Sequence, residues 1–228
     1  MSDRVSNARK KELEQPDPFL ESMYRTLETA KKIKKQLAIV GIIVISIIAI
    51  VSITFYTINS AESKASIILA DAMKIYSEHQ DMPIKGYEAT KGQFETLLND
   101  YPNTSAGKIG RLKFADICYA AEQYDVAYKN YTSALDDFKN DPIIKNIILS
   151  SLGYTSDALN KQEEAQKHFK SISDGSTKFM KDDALFNLGM VAIANGDNKS
   201  GVEMLKTLSS EYGNSVYKIM ADDIISRN

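Results

Sequence analysis

Three adjacent pairs of aspartates are the most conspicuous groups of reactive side chains in the chain. They are Asp136-Asp137, Asp182-Asp183 and Asp222-Asp223. Paired carboxylates could supply acid–base catalysis or bind a cation, provided that both side chains point into one site. Adjacent residues on a helix point in different directions, so none of these pairs forms a shared site by itself. We therefore expect all three pairs to lie on solvated helix surface.

Other side chains that could take part in catalysis or metal binding are scarce. The chain has two histidines, His79 and His168, and one cysteine, Cys118, too few for an intramolecular disulfide or a His-rich or multi-Cys metal centre. Both histidines are expected to be surface or packing groups. Cys118 is expected to be a buried structural thiol, with an intermolecular disulfide as the alternative. Phosphate-binding glycine loops, His-Glu-x-x-His and Gly-x-Ser-x-Gly are absent from the sequence. We expect no catalytic residue, cofactor or metal.

The composition narrows the classes of function further. Lysine plus arginine number 28 and aspartate plus glutamate 30, and the net charge of −2 gives no support for a general nucleic-acid binder. Hydrophobic residues make up 43% of the chain, enough for a packed core, so wholesale disorder is not expected. The function must therefore be inferred from how the chain is organised into apolar and helical segments.

One uncharged apolar run precedes the larger part of the chain. It extends from Leu37 to Ile58 and is 22 residues long. A helix of this length spans roughly 33 Å, enough to cross a hydrocarbon core of about 30 Å. The alternative is a cleaved signal peptide, but 36 residues precede the run and the cleavage pattern around Asn59-Ser60-Ala61 is poor. We therefore predict an uncleaved transmembrane helix at 37–58.

The flanking charges predict the orientation of this helix. Residues 17–36 carry five basic side chains, against two in residues 59–78. Because positive residues favour the cytoplasmic side, the N-terminus is expected in the cytoplasm and residues 59–228 outside it. Residues 1–36 carry nine basic and six acidic groups, which suits an anionic leaflet, whereas residues 59–228 carry 19 basic and 24 acidic groups.

The cytoplasmic tail, residues 1–36, is predicted to contain one short amphipathic helix. Residues 1–15 are polar and expected to be disordered. Asp17 is a candidate N-cap and Pro18 suits the first helical position, and apolar residues then follow helical spacing from Phe19 to Lys35. Such a helix could dock on a membrane-protein partner or lie on the lipid surface. We favour the lipid surface, because a basic amphipathic pattern is explained by lipid contact without a protein partner.

The rest of the chain contains an internal repeat. Three stretches share a small residue, a second small residue 12 positions later, a bulky residue four further on and an apolar residue three after that. The four residues are Ala115, Ala127, Tyr131 and Ala134 in the first stretch, Gly153, Ala165, Phe169 and Ile172 in the second, and Gly189, Gly201, Leu205 and Leu208 in the third. Antiparallel helices approach closely only where side chains are small, and bulky residues fill the space beside the crossing. The pattern predicts helix pairs with turns at Asn160-Lys161 and Asn195-Gly196-Asp197.

A weaker unit precedes these stretches and a single helix follows them. Phe94 and Leu97 fit the second helix of a repeat with Thr90 at the small position, and its first helix is expected from Glu62 to about His79. The segment from Asn214 to Ile225 is predicted to be an unpaired helix that covers the last apolar face of a solenoid. The predicted fold is all-α: one N-terminal transmembrane helix, then an α-solenoid of about four helix pairs with a C-terminal capping helix.

These helix pairs resemble the tetratricopeptide repeat. The matching residues are the Leu-Gly pairs 152–153 and 188–189, the Ala-x-x-x-Phe at 165–169, the set Ala127, Tyr131 and Ala134, and Pro102. The chain departs from that family in lacking the leading tryptophan, in repeat spacings of 38 and 36 residues, and in Pro142, which comes three positions late. The resemblance implies that the first helices of the pairs line a concave groove that holds peptides or protein segments.

With its tail and anchor included, the whole chain resembles the YfgM-like ancillary translocon subunit family. The resemblance implies a single-pass protein of the bacterial inner membrane with a cytoplasmic N-terminus and a periplasmic repeat domain at 59–228. It implies partners among translocation channel subunits, periplasmic chaperones or secreted clients. The run Asp100-Tyr101-Pro102-Asn103-Thr104-Ser105, echoed at 211–215, also resembles outer-membrane assembly lipoproteins and cell-division coordinators, which lack a long anchor and rank second.

Carrying the groove positions of the repeat family over through Ala115, Gly153 and Gly189 yields eight candidate protein-binding residues. They are Leu112, Asp116, Tyr119, Tyr154, Asp157, Phe186, Met190 and Ile193. Most are apolar or aromatic, so they would be good anchors if exposed, and Met190 would let the surface adapt to several partners. The same residues could instead pack on neighbouring helices or on a second copy of the domain, which leaves a homodimer open.

The expected function is a membrane-anchored, non-enzymatic scaffold or co-chaperone linked to protein translocation. An adaptor in outer-membrane assembly or cell division is the alternative. An enzyme with a site at Asp116 and Asp157 is a third hypothesis.

Overall fold

The computed structural model describes residues 17–227, so the predicted disordered segment at 1–15 lies outside the described residues. Within the described range the chain is all-α, with nine helices and no strand. The helices are α1 Pro18–Ser77, α2 Pro83–Asp100, α3 Ser105–Ala120, α4 Tyr124–Asp137, α5 Pro142–Ala158, α6 Gln162–Ser173, α7 Lys181–Ala194, α8 Asn198–Glu211 and α9 Lys218–Arg227. The chain forms two compact units, Met1–Ile58 and Asn59–Asn228.

Helix α1 is a single element of 60 residues. It begins as predicted, because the Asp17 carboxylate accepts the backbone N–H of Phe19 at 2.9 Å and Pro18 occupies the first helical position. The tail helix, the anchor and the first repeat helix were expected as separate elements, and that expectation is wrong. The sequence contains no proline between Pro18 and Pro83, so nothing interrupts the backbone hydrogen bonds between the three segments.

The first unit presents apolar side chains to its surroundings. From Leu37 to Ile58 the isoleucine and valine side chains of α1 are exposed, and Ile45, for example, is 68% exposed. Among the described residues, α1 is the one helix long and apolar enough to cross a membrane by length and composition. It is therefore a candidate membrane span.

The second unit is built from helix pairs, as the repeat predicts. The pairs are α3 with α4, α5 with α6, and α7 with α8. Before them, the buried Ala65 and Ala72 of α1 belong to the same hydrophobic core cluster as Tyr87 and Phe94 of α2. The tight turn inside each of the three later pairs contains one residue in the left-handed region, with φ of 60° at Glu122, 58° at Asn160 and 87° at Gly196. The two turns predicted from the sequence, at Asn160 and Gly196, are confirmed.

The small residues of the repeat lie where the helices cross most closely. A Cβ atom added at Gly153 would lie 2.6 Å from Cζ of Phe169, and one at Gly189 would lie 3.1 Å from the carbonyl oxygen of Gly201. Ala115 and Ala127, which hold the same positions in the preceding pair, are fully buried. The predicted alignment of the three helix pairs is confirmed.

The ends of the solenoid are closed by particular contacts. At the start, the Glu62 carboxylate accepts the backbone N–H groups of Ser105 and Ala106, at 2.8 and 3.0 Å, and so caps α3. At the other end α9 buries Ala221 against Leu205 and Leu208. The capping helix is confirmed, although it begins at Lys218, four residues later than predicted.

Candidate protein-binding surface

The first helices of the three later pairs place equivalent residues on one face. We call this face the repeat face, and define it by four positions in α3, α5 and α7: six and three residues before the small residue, and one and four residues after it. These are Ile109, Leu112, Asp116 and Tyr119 in α3; Ile147, Ser150, Tyr154 and Asp157 in α5; and Asp183, Phe186, Met190 and Ile193 in α7. The spacing of three, four and three residues keeps them on one side of each helix.

The α7 end of the repeat face contains a buried carboxylate. Asp183 is 5% exposed and accepts hydrogen bonds from four side chains. The donors are Ser150 Oγ at 2.6 Å, Tyr217 OH at 2.8 Å, Asn187 Nδ2 at 3.1 Å and Tyr154 OH. The expectation that Asp182-Asp183 is solvated surface is therefore wrong for Asp183, because partners from three parts of the chain enclose it.

Neutral donors alone stabilise this carboxylate among the described residues. No lysine, arginine or histidine within 17–227 forms an ion pair with Asp183. Burying a carboxylate is costly unless its lone pairs are occupied by hydrogen bonds, and the four donors meet that requirement. They come from α5, α7 and the segment before α9, so the carboxylate joins these three elements.

The C-terminal segment covers part of the repeat face. The ring of Tyr217 stacks on Phe186, with centroids 4.7 Å apart and planes at 19°. Ser215 also donates to the carboxylate of Asp182 at 2.7 Å. Phe186 therefore packs against the capping segment. This agrees with the alternative given above, in which predicted groove residues pack on neighbouring parts of the chain.

The other predicted residues of α5 and α7 differ in how much they pack against the rest of the protein. The ring of Tyr154 packs edge-on against Phe169, with centroids 5.3 Å apart, and its hydroxyl is bound to Asp183. Ile193 packs in the core beside Gly201. Met190 is 39% exposed, so it is the predicted apolar residue of α7 that is most open to a partner.

The α3 end of the repeat face is more open. Leu112 and Tyr119 are half-buried against the core, and Tyr119 packs edge-on against Tyr124 with centroids 5.5 Å apart. The Asp116 carboxylate accepts the hydroxyl of Tyr131 at 2.8 Å, and its side chain remains 46% exposed. Asp157 on α5, the other aspartate among the eight candidate residues, is also exposed.

Sequence reasoning missed four residues of this face. They are Ile109, Ile147, Ser150 and Asp183. Three of them lie six residues before the small residue, and Ser150 lies three before it, where Leu112 and Phe186 were identified in the other repeats. Extending the helical spacing one turn towards the helix N-terminus would have found Ile109, Ile147 and Asp183, and applying the position of Leu112 and Phe186 to α5 would have found Ser150.

The reactive side chains considered first form no second site in the described part of the chain. Cys118 is fully buried, and burial raises the pKa of its thiol to about 12, which makes it a poor nucleophile. His168 packs against Tyr128, and its burial lowers the pKa of the imidazole. Among residues 17–227, no group of three or more His, Cys, Asp or Glu side chains could hold a metal.

The two half-buried tyrosines that donate to Asp183 predict a loss of stability at alkaline pH. Burial, and then the hydrogen bond to Asp183, raise the pKa of Tyr154 above its usual range, and burial also raises the pKa of Tyr217. Above pH of about 10 the unfolded chain releases these protons while the folded chain retains them, so the free energy of unfolding falls as pH rises. The slope contributed by one tyrosine is at most about 1.4 kcal/mol per pH unit.

Urea unfolding of the detergent-solubilised chain between pH 8 and 11 measures this slope. Tyr154→Phe removes one of the titrating groups, so its stability should fall less steeply with pH than that of the unaltered protein. Equal slopes in the two proteins would contradict the prediction, and other groups that titrate in this range cancel in the comparison.

Comparison with protein families supports the class of protein that the helix pairs define. The tetratricopeptide repeat family model matches residues 183–215, which cover α7 from its third residue, all of α8 and the turn after it. The match and the all-helical architecture support a tetratricopeptide-repeat protein. A comparison with curated proteins finds no match.

Proposed function

We propose that this protein is a membrane-anchored, non-enzymatic interaction scaffold or co-chaperone. The observation that carries the proposal is the combination of an exposed apolar helix of membrane-spanning length with a tetratricopeptide-repeat unit. Tetratricopeptide repeats typically bind proteins and are not catalytic. On the repeat face, Met190 and the apolar side chains of Ile109 and Ile147 are available for such contacts.

The anchor and its flanking charges support a location in the bacterial inner membrane. Five basic residues in 17–36 against two in 59–78 favour a cytoplasmic N-terminus, which would place the repeat unit in the periplasm. There the protein would meet polypeptides that emerge across the membrane. Its partners would be translocation channel subunits, periplasmic chaperones or secreted clients, together with a second copy of the chain if it forms a homodimer.

The second candidate function is an adaptor in outer-membrane assembly or cell division. It is favoured by the run Asp100-Tyr101-Pro102-Asn103-Thr104-Ser105, which resembles repeats of proteins in those systems. Tyr101 and Thr104 contribute to the turn between α2 and α3, where Thr104 caps α3 by accepting the N–H of Gly107 at 2.9 Å. This turn has a structural role that any helix pair could use, so the first function is preferred.

Site-specific photocrosslinking in membranes tests the proposal. A photoreactive amino acid is placed at Met190 or Asp157 of the full-length protein, and at the exposed Lys129 on α4 as a control. Translocation channel subunits, chaperones or nascent secretory chains should be captured from the first two positions and not from Lys129. Capture of outer-membrane assembly or division proteins would support the second candidate, and capture of the protein alone would contradict both.

A further inference from the structure

The turns between consecutive helix pairs form one edge of the second unit. The two helices of each pair run antiparallel, so every pair begins and ends at the same edge, and the turns inside the pairs lie at the opposite one. We call the first of these the inter-pair edge. It consists of residues 101–104, 138–141, 174–180 and 212–217, each with the first four residues of the helix that follows.

Hydrogen bonds fix the turns of this edge to their neighbours. Near the start of α5, the buried Asn146 donates through Nδ2 to the carbonyl oxygen of Phe179 at 2.8 Å. At the start of α7, the Asp182 carboxylate accepts the hydroxyl of Ser215 at 2.7 Å. The side chains that the edge exposes are therefore carried on a backbone that is held in place.

The chain enters the second unit at the same edge. This unit begins at Asn59, directly after the apolar run ends at Ile58. Glu62 accepts the backbone N–H groups of Ser105 and Ala106, the first two residues of α3, at 2.8 and 3.0 Å. The inter-pair edge is therefore tethered about one helical turn beyond the end of the candidate membrane span.

Large apolar side chains are exposed along the inter-pair edge. The two most exposed are Ile219 at 83% and Val216 at 80%. The turns inside the three later pairs, all within the described residues, expose no large apolar side chain. Apolar side chains gathered at one edge indicate a contact surface. The full set is Ile143, Phe179, Val216, Ile219 and Met220.

The charges of the two edges also differ. The inter-pair edge carries six lysines and four aspartates, whereas the opposite edge carries three lysines and seven acidic residues in 78–86, 121–127, 159–165 and 195–201. Each of the four aspartates is occupied inside the unit by a hydrogen bond or an ion pair; they are Asp141, Asp174, Asp182 and Asp183. Five of the six lysines form no ion pair within 17–227; they are Lys108, Lys139, Lys145, Lys178 and Lys181. The charge that this edge offers to a partner is therefore positive.

We propose that the inter-pair edge lies on an anionic phospholipid surface, that of the leaflet from which α1 emerges. Its apolar side chains enter the boundary between headgroups and acyl chains, to a depth of about 5 to 10 Å, and its lysines pair with phosphate and anionic headgroups. Met190 lies away from this edge and stays free for a protein partner. The inference rests on the proposed function, because α1 must span the membrane, and it adds a second contact with the lipid.

Fluorescence quenching by lipid tests the inference. The full-length protein is placed, one copy per nanodisc, in phosphatidylcholine with about one third phosphatidylglycerol. An environment-sensitive fluorophore is attached to Val216→Cys or Ile143→Cys, and to Lys199→Cys on the opposite edge as the control. Cys118 is buried and the pKa of its thiol is raised to about 12, so it does not take the label.

A lipid with a spin-labelled headgroup then quenches any fluorophore at the membrane surface. The labels at 216 and 143 should lose about half of their emission or more, because interfacial side chains lie within about 10 Å of the headgroups. The label at 199 should keep its emission. Equal quenching at the three positions, or none at 216 and 143, would overturn the inference.

Two sets of lysine substitutions test the role of charge. Lys139→Gln with Lys178→Gln and Lys181→Gln should lower the ratio of quenched to unquenched label about a hundredfold, because each lysine at an anionic surface contributes about fivefold. The control makes the same change of charge at three exposed lysines of α4, α6 and α8, and it should alter the ratio by less than about twofold. These lysines are Lys129, Lys167 and Lys206. Equal losses in the two triple variants would also overturn the inference.

The proposed function fails on a different result. A chain that alkaline carbonate extracts from native membranes is not anchored by α1, which would contradict the proposed function itself. Retention in the membrane and capture of partners at Met190, together with an unquenched inter-pair edge, would leave the proposed function standing and reject this inference alone.

Discussion

Replacing Gly153 with leucine is expected to destabilise the repeat unit by about 3 kcal/mol or more. The Cβ atom alone would lie 2.6 Å from Cζ of Phe169, closer than carbon atoms approach in proteins. Phe169 is 2% exposed and is enclosed by Tyr154 and the rest of the core, so its ring cannot move aside without displacing other side chains. Either α5 and α6 separate or the ring leaves its site, and both lose buried contacts.

Thermal unfolding of the detergent-solubilised full-length protein, followed by circular dichroism, measures the effect. For a unit of this size, 3 kcal/mol corresponds to a decrease in Tm of about 6 to 12 °C. Gly92→Leu is the matched control, because a Cβ atom at Gly92 on α2 has no neighbour within 4 Å. Leucine has the higher helix propensity, so this control should raise the stability slightly. An unchanged Tm in Gly153→Leu would show that α5 and α6 do not cross at this residue.

The second large effect is expected from Asp183→Ala. This change removes the acceptor of the buried Ser150 hydroxyl and of the half-buried hydroxyls of Tyr154 and Tyr217. Each buried polar group without a partner costs about 1 to 3 kcal/mol. Because Asn187 and Tyr154 also bond to each other, part of the network survives, and we expect a total loss of about 3 to 5 kcal/mol.

The variant should also loosen the capping segment, which distinguishes this network from a general packing defect. Tyr217 loses its bond to Asp183, so limited proteolysis should cleave residues 212–217 before the rest of the repeat unit. Asp136→Ala, at an exposed position on α4, is the control and should change stability by less than about 0.5 kcal/mol. Protection of residues 212–217 equal to that in the unaltered protein would mean that Asp183 does not hold the cap.

Local rules were sufficient for most of the architecture. The glycines at 153, 189 and 201 predicted where helices approach closely. Glycine has no side chain, so the backbones of two helices can come closer together at these positions than at any other residue. Asn160 and Gly196 predicted turns because their backbone tolerates positive φ. Asp17 and Pro18 predicted the start of α1 because the cap and the fixed φ act within two residues.

Local rules also misplaced some boundaries. The tail, the anchor and the first repeat helix differ in composition, and that difference suggested separate elements. Helix continuity depends on the backbone, however, and the chain from 19 to 82 contains no proline to interrupt it. Attention to the missing breaker would have predicted one helix.

The sequence by itself determined the apolar run, the paired helices and the face on which the candidate binding residues lie, because these follow from periodicity and side-chain size within a few turns. Tertiary structure decided which residues on that face remain available to a partner. Asp183 is buried by Tyr154, 29 residues before it, and by Tyr217, 34 residues after it, whereas Asp116 and Asp157 stay exposed. An aspartate on a helix carries no local sign of such a difference, because burial depends on side chains that arrive from distant parts of the chain.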